Sequence, residues 1–321
     1  MKYDVFCVGE MVIDFTPGKE PNSYVANPGG APANAAIAVS RLGRKSAFCG
    51  MLGADAFGDL LQRTLEENGV YAACRRRCSD AVTTLAFVSL TPSGERSFTF
   101  TRKPGADMFL QPSDIDDALL QESRIVHAGS CSLSKGTASE ATRCAMHRAK
   151  ELGKLVSFDI NYRDLIWDED RQAAQAAVAA VLPDIDLLKL SDEEECFVGG
   201  WENIEAVMRE NGISLAVMTR GAGGAEAVWN GTHFSVPGRK VPVADTNGAG
   251  DAFWGGFLAT LAENDCKTPA DFTPGIIRRA LETANMTGSL TVQHPGAIPA
   301  LPYRKDVLCA LETESRDCHG A

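Results

Sequence analysis

Short apolar runs suited to buried strands alternate with longer amphipathic stretches along most of the chain, and this alternation leaves few folds open. The strand-like runs are Val5 to Val8, Ile125 to Ala128, Leu155 to Ile160, Asp186 to Lys189 and Leu215 to Thr219. Helical patterns occupy Phe57 to Asn68, Gly136 to Leu152, Arg171 to Leu182, Ile204 to Asn211, Asp251 to Glu263 and Pro274 to Val292. Strands that are apolar throughout and separated by helices must be covered on both faces, which predicts an α/β fold with a mostly parallel sheet. Two stretches break the pattern. Val12 to Val25 and Thr83 to Arg102 are β-rich, the second with a Pro92-Ser93-Gly94 turn signal. Without a repeat, low-complexity tract or linker, residues 1–321 are expected to form one domain, with about 12–25 and 83–102 as a small appendage.

Composition narrows the function by exclusion. A chain of 321 residues, 45% hydrophobic, can bury a large core, and its net charge of −11 argues against binding a polyanion, which needs clustered Lys and Arg. Asp4 interrupts the first apolar run, so a secretory leader is not expected, and no apolar stretch is long enough to span a bilayer. Ten cysteines without metal-ligand spacing, the nearest pair Cys74 and Cys78 split by three arginines, fit a reduced, cytoplasmic protein better than a disulfide scaffold. The five histidines form no ligand set, and His-Glu-x-x-His and Gly-x-Ser-x-Gly are both absent. The P-loop pattern is missing, and Glu226 stands where a dinucleotide fingerprint needs its third glycine.

Chemistry is written into two glycine-rich turns. Asp245-Thr246-Asn247-Gly248-Ala249-Gly250-Asp251 runs directly into a helical stretch, so the first N–H groups of that helix point together at whatever approaches the bare turn. Those donors and the helix dipole suit a phosphate. Asp251 stands in the same first turn, beside any hydroxyl that would attack that phosphate, and the dipole should keep it ionised and weakly basic. A plain capping role for Asp251 is the alternative. The second turn, Asn27-Pro28-Gly29-Gly30-Ala31-Pro32-Ala33-Asn34, leads into another amphipathic helix, Asn34 to Leu42, and two such turns suggest two ligands.

Gly29-Gly30-Ala31-Pro32-Ala33-Asn34-x-Ala36 followed by Gly43 and Gly53, together with Asp245 to Leu258, resembles the paired signatures of the PfkB (ribokinase-like) carbohydrate kinases. The likeness covers nearly the whole chain. Gly9-Glu10-Met11-Val12-Ile13-Asp14-Phe15, Ser97-Phe98-Thr99-Phe100, Pro104-Gly105-Ala106-Asp107, Phe158 to Arg163, Lys189 to Glu194 and Gly296 to Pro302 look within that family most like fructokinase. The resemblance implies a ribokinase-like sheet with helices on both faces, and a small β-sheet lid over the sugar. It implies an ATP- and Mg2+-dependent phosphotransferase with an alcohol acceptor, moving the γ-phosphoryl group to a sugar hydroxyl. Rival substrates are 2-keto-3-deoxygluconate, ribose or a nucleoside; a non-catalytic binding protein of the same fold is the more distant alternative.

Residue by residue, the resemblance makes Asp251 the base and Gly248, Ala249 and Gly250 the anion hole, with Arg163 beside the transferring group at the carboxyl edge of the sheet. A surface pairing of Arg163 with Asp164 or Asp168 is the plainer reading. Asp14, delivered by the first strand, would grip sugar hydroxyls with Asn34, Gly29 and Gly30. Phe98 and Phe100 could close on the apolar side of the sugar or simply pack the lid. Thr219, Gly221, Gly224, Ser191 and Asn285 would border the nucleotide, Ser191 replacing the family's usual Asn. Glu194 would hold Mg2+ through water, and Asp245, Asn247, Gly296 and Ala300 would surround K+. Lid edges could pair two copies into a homodimer.

Overall fold

Nine strands in the order β15-β14-β13-β12-β11-β10-β1-β4-β6 form the main sheet of the structure, a computed structural model that describes residues 1–20, 22–73, 75–90 and 96–317. Along the chain the strands are β1 (Tyr3–Val8), β2 (Val12–Pro17), β3 (Tyr24–Gly29), β4 (Ser46–Cys49), β5 (Leu52–Gly53), β6 (Tyr71–Ala72), β7 (Arg77–Cys78), β8 (Leu85–Leu90), β9 (Arg96–Thr101) and β10 (Ser123–Gly129), then β11 (Leu155–Asp159), β12 (Leu187–Ser191), β13 (Leu215–Thr219), β14 (Gly224–Trp229) and β15 (Thr232–Pro237). The helices are α1 (Ala31–Arg41), α2 (Ala56–Glu67), α3 (Asp117–Glu122), α4 (Thr137–Glu151), α5 (Arg171–Ala179), α6 (Ile204–Asn211), α7 (Ala249–Glu263), α8 (Pro274–Thr291) and α9 (Arg304–Asp317).

Every pairing from β6 through β13 is parallel, and the strand order reverses direction at β1, which has β4 on one side and β10 on the other. In open α/β sheets that reversal opens a crevice at the carboxyl ends of the strands. Alternation along each strand explains the double cover. Val5, Cys7, Ile125, Leu155 and Leu187 point to the side holding α1, α7 and α8, while Phe6, Val8, Val126, Val156, Phe158 and Leu188 face α3 to α6. Each large apolar side chain so buried contributes about 1.5–3 kcal/mol.

Gly255 and Gly256 settle the position of α7. A methyl group on Gly255 would lie 2.5 Å from the Ala38 side chain of α1, and one on Gly256 would lie 2.7 Å from Thr287 Oγ1 of α8. Helix-interior glycine costs about 1 kcal/mol against Ala. Here it lets three helices approach closely, so the first turn of α7 is wedged at the carboxyl edge of the sheet.

The two segments that break the alternation come together in a four-stranded sheet, β3-β2-β8-β9. The first extends to Gly29 rather than ending at Val25. Asp14 is therefore on the small sheet and not on the first strand of the large one, a correction that follows from the chain turning at Gly9 (φ 155) before it reaches Val12. The Pro92-Ser93-Gly94 turn and the Phe98 side chain lie outside the described residues. The sequence reading omitted the antiparallel hairpin of β14 and β15, joined by Asn230 and Gly231 at φ 46 and 69. An Asn-Gly pair between alternating residues is the standard signal for such a turn. No helix among the described residues is long and apolar enough to cross a membrane.

Candidate active site

The two glycine-rich turns meet. Asn34, in the first turn of α1, donates from Nδ2 to Asp251 Oδ2 in the first turn of α7 at 2.8 Å, across 217 residues of sequence. Asn161, just beyond β11, donates to the other oxygen, Oδ1, at 3.4 Å; its φ of 37 lies in the left-handed region that Asn tolerates better than most residues. Asp251 is buried, and burial pushes its carboxyl above the ordinary range, against the pull of Asn34, Arg163 and Lys189. The weakly basic carboxylate expected from the helix dipole is thus corrected. Removal from water outweighs the opposing interactions.

Around Asp251 the backbone forms a donor-rich turn. Gly248 caps α7 at φ 74; the Gly250 amide has no partner within the helix, and the Ala249 amide makes only a long bond, 3.3 Å, back to the Thr246 carbonyl. The cap must be glycine for space as well, since an added methyl would sit 2.9 Å from Ala297. Beneath the turn, a methyl on Gly250 would come 3.4 Å from Lys189 Nζ. Lys189 pairs with Asp159 at 2.8 Å, and both are almost wholly buried. One ammonium faces the charges of Asp159, Glu194 and Asp251, so Lys189 keeps its proton although burial alone would strip it.

Asp14 faces this cluster from the lid. Burial raises its carboxyl to about 6, opposed by Arg163 and reinforced by Asp251 and Asp245. Gly29 lies opposite, where a methyl would reach within 2.8 Å of Asp14 Oδ2, and at Gly30 a methyl would collide with the Glu10 carbonyl at 2.6 Å. Arg163 is exposed, its Nη1 donating to the Tyr162 carbonyl at 3.0 Å. The acids proposed as its surface partners are engaged elsewhere, Asp164 with Arg171 and Asp168 with Lys135. Phe100 is half-buried and packs against the core cluster on the α3 to α6 side.

The residues expected at the nucleotide are spread along the next strand ends. Thr219 closes β13, and Gly221 (φ 50) and Gly224 (φ 100) bracket the turn after it. Gly224 is required by the hairpin itself, because a methyl there would meet Val236 O at 2.1 Å. Asn285 donates its Nδ2 to the carbonyls of Val236 and Pro237 at 3.3 and 3.2 Å, so that amide is spent tying α8 to β15. Ser191 and Glu194 form a reciprocal cap in which Glu194 accepts from the amides of Ser191 at 2.8 Å and Tyr162 at 2.6 Å.

Asp245 accepts from the amides of Asn247 at 2.8 Å and Gly296 at 3.0 Å, joining the turn before α7 to the Gly296 and Ala300 segment. Among the described residues there is no group of three or more His, Cys, Asp or Glu side chains able to enclose a metal. A magnesium ion does not need one, since it commonly takes one or two carboxylates and completes its shell with water and phosphate oxygens. Asp159 Oδ1 fits that role: it is buried, lacks a hydrogen-bond partner, and feels the charge of Glu194.

Asp159, Lys189 and Glu10 were not assigned roles from sequence. The first two carried a usable signal. Single opposite charges interrupt the apolar runs Val156 to Ile160 and Leu187 to Leu190, and parallel pairing sets Asp159 directly opposite Lys189. Glu10 follows β1 at the point where the strand order reverses. It is 6% exposed, its Oε2 has no partner, and burial raises its carboxyl to about 7, with Asp107 and Asp251 adding and Arg102 opposing. An acid that protonates more readily folded than unfolded loses stability as pH rises from its unfolded value of 4.5 towards 7. Glu10→Gln should therefore be more stable than the native chain at pH 8 by about 2–3 kcal/mol and equal to it near pH 4.5. Denaturant titrations at the two pH values test this, and a variant less stable at pH 8 would mean the carboxylate is paired.

The model of the pfkB family carbohydrate kinases matches residues 2–304. The chain is 39% identical over 318 residues to probable fructokinase-6, chloroplastic, of Arabidopsis thaliana, covering 96% of this chain and 82% of that one. Fructokinase with bound ATP from Xylella fastidiosa superposes with a TM-score of 0.92 at 35% identity, over 98% of this chain and 100% of that one. Fructokinase from Vibrio cholerae O395, in its fructose-, ADP- and calcium-bound form, gives 0.86 at 35% identity over 96% and 98%. A double mutant of the same protein in a fructose-, ADP- and potassium-bound form gives the same values. A ribokinase-like α/β fold, a smaller second sheet and a family match across nearly the whole length agree, and the chain belongs to the pfkB family of carbohydrate kinases, phosphotransferases with an alcohol group as acceptor.

Proposed function

We propose that this kinase is a fructokinase, transferring the γ-phosphoryl group of ATP to a primary hydroxyl of the sugar at the junction of α1, α7 and the lid. The observation that carries the reading is the Asn34–Asp251 hydrogen bond, which joins both glycine-rich turns around one buried carboxylate. Asp251 aligns the acceptor hydroxyl and takes its proton as the new oxygen–phosphorus bond forms and the bond to the β,γ-bridging oxygen breaks. A carboxyl raised by burial is better matched to that proton than an exposed one. The amides of Ala249, Gly250 and Asp251, with Arg163 and Lys189, meet the charge on the migrating group, which is what a loose transition state mainly requires.

Magnesium belongs to this reading: Asp159 and Glu194 would hold it, and when bound it would supply further charge neutralisation on the phosphates. Potassium would take backbone carbonyls around Asp245 and Gly296. A cytoplasmic homodimer pairing through the free edges of the lid sheet, β3 and β9, completes the proposal. The ATP-bound fructokinase from Xylella fastidiosa and the fructose-, ADP- and calcium-bound one from Vibrio cholerae support the sugar and nucleotide part of this reading by likeness.

Formation of ADP across fructose, ribose, 2-keto-3-deoxygluconate and a nucleoside tests the substrate. Fructose is expected to give the highest kcat/KM, and another sugar leading the series would replace it. Asp14→Ala should raise the KM for fructose about 30-fold or more and that for ATP less than about threefold, because a sugar hydroxyl loses its buried acceptor. Equal rises in both constants would remove Asp14 from the sugar grip.

A further inference from the structure

The lid is rooted in the core at four crossings: before β2, after β3, before β8 and after β9. Two of these roots converge on one carboxylate. Asp107 belongs to the core, 4% exposed in the short turn Ala106–Phe109, and Ala106 beside it packs into the large cluster under the sheet. Its Oδ2 accepts from Arg102 Nε at 2.8 Å and pairs with Arg102 Nη2 at 2.7 Å, directly after β9. Its Oδ1 accepts from Thr84 Oγ1, directly before β8. Arg102 is tied down a second time, donating from Nη1 to Ser134 Oγ at 3.0 Å in the core. Gly105 closes the cluster, since a methyl there would fall 1.9 Å from Thr84 Oγ1 and 2.8 Å from Asp107 Oδ1.

The chain of contacts runs on to the sugar side. The Thr84 carbonyl accepts from the amide of Ile13 at 3.0 Å, and Ile13 precedes Asp14; in the next step of the ladder Asp14 stands opposite Ala86. A shift of the β8 root therefore shifts the backbone that carries Asp14. We propose that the buried Arg102–Asp107 pair and Thr84 form a positioning latch that fixes where the lid presents Asp14, and so sets affinity for the sugar without touching it. This rests on the assignment of Asp14 to the sugar grip.

The test compares Thr84→Val, Thr84→Ser and Asp107→Asn with the native enzyme, reading kcat, both KM values and the melting temperature. Thr84→Val keeps shape and leaves the neighbouring root intact, where Thr83 N and Oγ1 donate to Asp55 at 2.8 and 2.7 Å. It should raise the fructose KM about tenfold with ATP KM and kcat within about twofold. Thr84→Ser, which restores the hydroxyl, should return the fructose KM to the native value, and Asp107→Asn should resemble Thr84→Val or exceed it. A folded Thr84→Val with unchanged fructose KM, an equal rise in both KM values, or a Ser variant as impaired as the Val variant would each overturn the latch. If Asp107→Asn does not fold, the Val and Ser pair decides. Asp14→Ala run alongside separates the two claims: with no effect on the fructose KM the sugar grip fails, whereas an Asp14 effect without a Thr84 effect removes the latch alone.

Discussion

Asp251→Asn is expected to lower kcat by about 10²–10⁴ while the KM for ATP changes less than about threefold. The substitution keeps the shape of the side chain and an oxygen for Asn34, so the junction of the two turns survives, and in the proposed arrangement the amides of Ala249 and Gly250 would still meet phosphate. What is lost is an acceptor for the hydroxyl proton and a negative charge opposite Arg163 and Lys189. The pH profile supplies the sharper readout. Because burial raises the Asp251 carboxyl, native kcat should fall on acidification from a pH above the usual carboxylate range, as the base takes up its proton. In the variant that acid limb should vanish along with most of the turnover. A variant turning over near the native rate, or one retaining the limb, would assign proton transfer to another group.

The parts of this molecule legible from sequence are those fixed by local pattern. Apolar runs such as Leu215 to Thr219 admit little but a buried strand, and a glycine-rich run such as Gly248 to Gly250 ahead of a helical stretch marks a helix start, found at Ala249. The resemblance added residue roles, and the structure brings Asp14, Asn34, Arg163 and Asp251 to one crevice. Contacts that depend on register were harder to read. Asp14 lies in Val12 to Val25, whose break in pattern marks it for the appendage, but nothing in Val12 to Pro17 says which strands it pairs with there. Asn285 spends its amide on Val236 and Pro237, which only the hairpin of β14 and β15 puts within reach. Raised pKa values were also hidden, since they follow from burial, and the helix-dipole argument for Asp251 pointed the opposite way. Glu10 is the extreme case: a charged residue in an ordinary glycine-containing turn that burial drives to about 7.

Lys189 offers the strongest test of how far the site is built on buried charge. Lys189→Met preserves the length and packing of the stem but leaves Asp159, Glu194 and Asp251 without their ammonium. Removing one partner of a buried pair typically costs about 3–5 kcal/mol, because the remaining ion is uncompensated. The cost should shrink on acidification, since burial already lifts Asp159 to about 6 with Lys189 present, and without it the carboxyl must rise further and protonate sooner. Stability of Lys189→Met relative to native should therefore be poorest near pH 8 and recover towards pH 5. Turnover should fall as well, by about 10²–10³ in kcat/KM for ATP, if the ammonium under Gly250 helps neutralise the migrating phosphoryl group. The double variant Lys189→Met with Asp159→Asn tests the stability role alone, because Asp159 is itself proposed to hold magnesium and its loss would lower turnover in its own right. Neutralising both members should restore most of the lost stability; a double variant no more stable than Lys189→Met would mean that Lys189 does more for the fold than balance Asp159.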